Sequence, residues 1–87
     1  MERYELVYLP SIQKDLRKLS KAIVRKILAR AEKLRDDPFP RDSVKLTGYD
    51  NRYRLRQGDY RILNSVDGAR ILVTVVQIGH RREIYKH

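Results

Sequence analysis

Four arginines fall within residues 52–61, which read Arg-Tyr-Arg-Leu-Arg-Gln-Gly-Asp-Tyr-Arg. Successive residues of a β-strand point to opposite faces of a sheet, so Tyr53 and Leu55 predict an apolar face and Arg54 and Arg56 a cationic one. Guanidinium groups bind phosphate oxygens through paired N–H donors. The chemistry that this stretch predicts is therefore the binding of an anion, with phosphate as the first candidate.

The Gly58-Asp59 pair predicts a tight two-residue turn, because Gly accepts a positive φ and Asp tolerates one. Such a turn sets Arg56 directly opposite Arg61 on the neighbouring strand. Like charges in that position destabilise a sheet, so a chain that gathers Arg54 with this pair is expected to hold the patch for an anion. The plain alternative is that Arg54 and Arg56 form only a solvated strand face.

The elements that carry this hairpin follow from the hydrophobic pattern. An alternating strand is predicted over residues 2–8, then a short helix and a longer one over residues 21–35 with Ser20 as its N-cap. A linker over residues 41–51 contains a short strand near residues 44–46. Strands then follow the arginine-rich stretch at residues 60–66 and 70–78.

Asp67-Gly68 predicts a second tight turn, and Gly79 is expected to end the last strand. The β-branched residues of that strand predict burial on both of its faces. The sequence as a whole predicts an α+β fold in which a two-helix hairpin packs on one face of an antiparallel sheet of about four strands. The tail after Gly79 is expected to fold over the other face, with His80, Arg81, Arg82 and Tyr85.

Length and composition set limits on function. With 87 residues, residues 1–87 are expected to form one domain. A net charge of +9 and an isoelectric point near 10.2 predict a polyanionic partner. The chain has no cysteine and two histidines, so neither a metal site nor a cofactor is expected. No membrane-spanning or secretory segment is visible, which predicts a cytoplasmic protein.

Three separated segments resemble the RelE family of toxins from toxin–antitoxin pairs. They are Tyr53-Arg-Leu-Arg, Gly58-Asp-Tyr-Arg-Ile and Ile78-Gly-His-Arg-Arg-Glu-Ile-Tyr, and the segment Leu-Pro-Ser-Ile-Gln-Lys-Asp-Leu-Arg-Lys-Leu is similar to the family's first helix. The resemblance covers nearly the whole chain. It implies a RelE-like microbial ribonuclease fold and the toxin of a type II system, neutralised by an acidic RelB-like antitoxin.

The resemblance also implies a reaction. It is the cleavage of mRNA in the A site of the 70S ribosome, with attack of the ribose 2′-OH on the adjacent phosphate, which inhibits translation. Carried over by motif, the catalytic candidates are Arg54, Arg56, Arg61, His80, Arg81 and Tyr85. The candidates for RNA or phosphate binding are Arg52, Arg54, Arg56, Arg61 and Arg82. Tyr85 is the preferred general base, with His80 as the alternative proton carrier.

Two departures from the family bear on this interpretation, since its basic strand positions are often lysine and some members carry a further helix after the tail. Two other functions share the charge and the fold. One is a ParE-like inhibitor of DNA gyrase without nuclease activity, and the other is an RNA-binding module without catalysis. Fold alone does not separate them.

Overall fold

The computed structural model describes the backbone of residues 3–84 and the side chains of residues 3–82. Five strands, two helices, a 3-10 turn and a short third helix follow one another along the chain. In order they are β1 (Glu5–Tyr8), α1 (Ile12–Arg17), α2 (Lys21–Glu32), the 3-10 turn (Lys33–Arg35), β2 (Val44–Lys45), β3 (Arg52–Gln57), β4 (Tyr60–Asp67), β5 (Leu72–His80) and α3 (Arg81–Ile84).

The five strands form one sheet in the order β1-β5-β4-β3-β2. The prediction of an α+β fold is confirmed, but the sheet has five strands because the short strand near residue 44 pairs with β3 as a full edge member. β1 pairs with β5 in parallel, whereas the other neighbours are antiparallel. An entirely antiparallel sheet was therefore the wrong expectation, since the helical hairpin carries the chain from β1 to the far edge before the meander returns.

The hydrophobic core lies between the two helices and one face of the sheet. The predicted hairpin register is confirmed, because Leu55 of β3 pairs with Ile62 of β4, which in turn pairs with Ile78 of β5. Apolar residues at alternate positions thus face the helices together. The buried set comprises Leu6, Ile12, Ile27, Ala31, Leu34, Leu55, Ile62, Val66, Val73, Val75 and Ile78.

The predicted N-cap of α2 at Ser20 is confirmed. The backbone N–H of Ile23 donates to the Ser20 side-chain oxygen at 3.3 Å, which satisfies one of the donors left over at the first turn of α2. α2 ends at Glu32 and continues as the 3-10 turn, so the predicted helical length is kept but its last turn is tighter. No helix in the described part of the chain is long and apolar enough to cross a membrane.

The connection between β4 and β5 differs from the predicted tight turn. Asp67 pairs with Leu72, which leaves the four residues 68–71 in the turn. The Asp67 carboxylate accepts from the backbone N–H of Arg70 at 3.1 Å, so a side chain closes the wider turn. The positive φ falls on Ile71, at 55°, an unusual conformation for a β-branched residue.

β5 also runs further than expected. Gly79 does not end the strand, since it pairs with Arg61 and the next residue, His80, pairs with Tyr60. Burial on both faces was wrong as well. Val73 and Val75 are fully buried, whereas Thr74 between them and Val76 and Gln77 beyond them are only half-buried.

Asp15 fastens α1 to an irregular part of β5. The register between β4 and β5 shifts at Leu63 and Asn64, and just beyond this bulge the backbone N–H of Ile78 donates to Asp15 Oδ2 at 3.0 Å. The carboxylate thus replaces a ladder acceptor at a part-buried position. This hydrogen bond holds β5 in place two residues before the strand ends at His80. No sequence pattern indicated it.

Replacement of Asp15 by alanine is expected to lower the free energy of unfolding by about 1.5–3 kcal/mol, because a part-buried N–H loses a charged acceptor. Chemical denaturation followed by circular dichroism measures the change. Lys14→Ala, at the exposed neighbouring position of α1, is the matched control and is expected to change little. If the two variants unfold at the same denaturant midpoint, the hydrogen bond from Ile78 to Asp15 does not stabilise the fold.

Candidate functional site

The face of the sheet opposite the hydrophobic core carries a cleft lined by arginines, which we call the arginine cleft. It lies across β2, β3 and β4 and has a volume of about 250 Å³. The register explains its composition, because Val44 pairs with Arg54, and Arg56 pairs with Arg61, so that all four point to one side. The lining residues are Asp42, Val44, Arg54, Arg56 and Arg61.

The three arginines of the cleft are held to different degrees. Arg61 is buried, with 6% of its surface exposed, Arg54 is half-buried and Arg56 is exposed. The Arg56 Nε–H donates to the carbonyl oxygen of Gly58 at 3.0 Å, which ties this guanidinium to the hairpin turn. Gly58 has a φ of 59° and is the only one of the two turn residues with a positive φ, the pattern of a type II′ turn.

Arg52 extends the cationic face along β3 but does not line the cleft. It pairs with Ser65 and so shares the face of Arg54 two residues on. Its guanidinium carbon lies 4.9 Å from the centre of the Tyr49 ring, a cation–π contact at the strand start. With Tyr49 about half exposed, this pair offers a flat surface beside the cleft.

His80 does not join the arginines. It pairs with Tyr60, one residue along from the Arg61–Gly79 pair, and therefore points to the opposite face of the sheet. Its ring meets the Tyr60 ring edge-on with 5.5 Å between centroids, and its Nδ1 accepts from the backbone N–H of Arg82 at 3.3 Å. The expectation that His80 folds over the arginine face is contradicted by this register.

The tail begins beside the hairpin turn. The Arg81 backbone N–H donates to the carbonyl oxygen of Asp59 at 2.9 Å, so α3 starts next to the turn that joins β3 to β4. The side chains of Arg81 and Arg82 are exposed there. Tyr85, the preferred base, lies outside the described residues, and its role stays a prediction.

A second surface lies on the helical side of the molecule. Two neighbouring apolar grooves, of about 450 and 440 Å³, share Gln13 and Leu16. One runs between α1 and α2 and continues over Leu19 and Val24, and the other reaches the end of β1 at Leu9. The first groove, which we call the helical groove, has three cations along it: Arg17, Lys21 and Arg25.

Comparison with known proteins turns this geometry into a family assignment. A family model described as ParE toxin of type II toxin-antitoxin system, parDE, matches residues 6–85. The chain belongs to the RelE/ParE superfamily of type II toxins. A search of curated proteins gives no match.

Solved structures agree with the assignment. The toxin is similar to the archaeal RelE–RelB complex from Pyrococcus horikoshii, with 31% identity over 91% of this chain and 96% of that one and a TM-score of 0.81. It is also similar to the RelBE2 complex from Mycobacterium tuberculosis, with 25% identity over 91% of this chain and 99% of that one and a TM-score of 0.80. A third similar structure is the RelB–RelE complex from Methanococcus jannaschii, with 28% identity over 92% of this chain and 95% of that one and a TM-score of 0.75.

Sequence reasoning missed two residues that line the cleft, Asp42 and Val44, of which Asp42 is the charged one. Asp42 lies at the cleft's edge, and its carboxylate binds the Arg30 guanidinium of α2, with Nη2 donating to both oxygens at 2.5 Å. This hydrogen bond holds the pKa of the Asp42 carboxyl below its ordinary value. The linker pattern gave no signal for it, because the pair joins residues of two layers that meet only in the folded chain.

The arrangement brings three guanidinium groups of neighbouring strands to one cleft, with Arg61 buried, Arg54 half-buried and Arg56 exposed. Guanidinium groups are N–H donors whose geometry suits the paired oxygens of an anion. Within the described residues, no group of three histidine, aspartate or glutamate side chains is placed to hold a metal ion.

Proposed function

We propose that this toxin is a ribosome-dependent endoribonuclease that cleaves mRNA in the A site and so inhibits translation. The observation that carries the proposal is the arginine cleft, in which Arg61 is buried beside two further guanidinium groups. Like charges on paired strand positions destabilise a sheet. We expect a chain to keep them where they bind a phosphate whose negative charge grows in the transition state. The similarity to RelE structures supports the same reading.

In the proposed reaction the ribose 2′-OH attacks the adjacent phosphate, and the bond to the 5′ oxygen breaks. This leaves a 2′,3′-cyclic phosphate and a 5′-OH, and the proton lost by the 2′-OH is balanced by one given to the leaving oxygen. Arg54, Arg56 and Arg61 stabilise the phosphate oxygens, and Arg81 approaches from the tail. Tyr85 is the proposed base.

Cleavage is expected to require translation. The cleft supplies charge stabilisation, but a flexible free RNA must also hold its 2′-OH in line with the scissile bond, and the ribosome can provide that orientation. Single-turnover rates on one labelled message, free and bound to programmed 70S ribosomes, measure the difference. The proposal predicts a rate on the ribosome higher by several orders of magnitude, and equal rates would contradict it.

We also propose an acidic antitoxin as the partner. The solved relatives from Pyrococcus horikoshii and Mycobacterium tuberculosis are complexes of toxin and antitoxin. Here the helical groove combines an apolar floor at Leu16, Leu19 and Val24 with cations along its length. An amphipathic acidic segment has the matching chemistry, since its apolar side fills the groove and its carboxylates meet the cations.

Expression of the toxin alone is expected to arrest growth, and co-expression of an adjacent gene for an acidic antitoxin is expected to restore it. Val24→Glu places a negative charge in the helical groove and should weaken rescue without weakening arrest, because the arginine cleft lies on the other side of the molecule. Colony counts after induction measure both effects. Harmless solo expression would contradict the toxin's proposed action.

One observation favours a second candidate, inhibition of DNA gyrase, because the matching family model is described as ParE. A gyrase inhibitor needs binding surface but no proton transfer at a phosphate. A supercoiling assay with purified gyrase separates the candidates. Inhibition of gyrase together with unbroken message on ribosomes would select the ParE-like function.

A further inference from the structure

The carboxylate at the edge of the arginine cleft poses an electrostatic problem. Asp42 lines the same cleft as Arg54, Arg56 and Arg61, and its side chain is about half exposed, at 54%. A carboxylate among guanidinium groups competes with phosphate for them, because it offers the same paired oxygens. An anion site with such a residue at its edge works only if that carboxylate is bound elsewhere.

Arg30 supplies that binding from the helix layer. It lies on α2, on the other side of the sheet from the cleft, and its side chain is 22% exposed, so its guanidinium is largely enclosed. Its Nη2 contacts both carboxylate oxygens of Asp42. At neutral pH Asp42 is fully charged, since the same contact lowers its pKa.

We propose that Arg30 is a positioning residue, which binds Asp42 and thereby keeps this carboxylate from neutralising the arginine cleft. The inference rests on the proposed function, because it assumes that the cleft binds RNA phosphate. Loss of Arg30 releases Asp42 towards the three cleft arginines, where it acts as an internal competitor of the phosphate. The affinity of the cleft for RNA then depends on a residue that touches no RNA.

The test is a double-mutant cycle on RNA binding. The probe is a short fluorescent single-stranded RNA with 2′-O-methyl riboses, which binds but cannot be cleaved. Arg30→Gln keeps much of the side-chain stem and removes the charge, and Asp42→Asn removes the competitor. Fluorescence anisotropy gives the Kd of the wild type, both single variants and the double variant over a range of salt concentrations.

Arg30→Gln is expected to weaken binding by about 5-fold to 10-fold and to reduce the slope of log K against log salt by about 0.7, the value of one phosphate contact on a single strand. Asp42→Asn is expected to bind as tightly as the wild type or more tightly. The double variant is expected to match Asp42→Asn, because without the carboxylate there is nothing for Arg30 to hold.

A simpler effect of charge predicts a different pattern. Arg35→Gln removes a cation that pairs with Glu32 at 2.7 Å in the same helical layer, and it serves as the matched control. Equal weakening by Arg35→Gln and Arg30→Gln would overturn the inference, and so would an Arg30→Gln defect that persists in the Asp42→Asn background. Thermal unfolding of each variant shows whether it is folded at the temperature at which binding is measured.

Arg56→Ala separates this inference from the proposed function. If Arg56→Ala weakens binding while the Arg30→Gln defect is not relieved by Asp42→Asn, the cleft binds RNA and only the role of Arg30 is overturned. If Arg56→Ala leaves the affinity unchanged, the cleft is not the RNA site, and the proposed function fails together with the inference.

Discussion

Replacement of Arg61 by alanine is expected to slow single-turnover cleavage of ribosome-bound message by about 100-fold to 1,000-fold, the usual cost of losing one fixed donor to the transition state. Arg61 is the member of the arginine cleft with the least exposure, at 6%, so water cannot easily take its place. The same loss is expected for Arg81→Ala if the tail arginine reaches the phosphate.

Two controls make the Arg61 result interpretable. Arg70→Ala removes an exposed arginine from the turn between β4 and β5, away from the cleft, and should leave the rate unchanged. Arg61→Lys keeps the charge but loses the paired donors, so an intermediate rate is expected. A folded Arg61→Ala protein with the wild-type rate would remove this residue from the reaction.

Replacement of Tyr85 by phenylalanine is expected to lower cleavage by about 100-fold or more, because it deletes only the hydroxyl of the proposed base and keeps the ring. Tyr85 follows α3, which starts beside the hairpin turn through the bond from Arg81 to Asp59. The measurement is again the single-turnover rate on programmed ribosomes. Full activity in Tyr85→Phe would exclude the tyrosine as the base.

His80→Gln asks the competing question. If the imidazole transfers a proton, the variant should cleave ribosome-bound message about 100-fold more slowly or worse. If it does not, the single-turnover rate should stay at the wild-type value. We expect the second result, because the ring packs against Tyr60 on the face opposite the arginine cleft.

The arginine cleft could be predicted from the sequence because its three arginines lie close together in the chain, on two strands joined by a short turn. The alternation of Arg54 and Leu55 assigns faces, and the two-residue turn at Gly58 then fixes Arg56 opposite Arg61, as the structure confirms. The same period-two argument, carried through β5, would have placed His80 with Tyr60. A bulge at Asn64 and the unforeseen extension past Gly79 hid that register.

Other features depend on contacts between distant parts of the chain. The hydrogen bond from Ile78 to Asp15 joins a strand to a helix, and the pair of Arg30 with Asp42 joins a helix to the turn before β2. Each of these polar residues alone looks like a solvated surface position. The parallel pairing of β1 is equally non-local, since it depends on where the helical hairpin returns the chain. That residues 1–87 form one domain stays a prediction.

The most direct test of the proposed function is primer extension on a message translated by purified ribosomes, with and without the toxin. Cleavage in the A site predicts new 5′ ends within the codon that occupies that site, and only when ribosomes and toxin are both present. The Arg61→Ala protein should produce few or none. A message that stays intact in the presence of ribosomes and folded toxin would contradict the account.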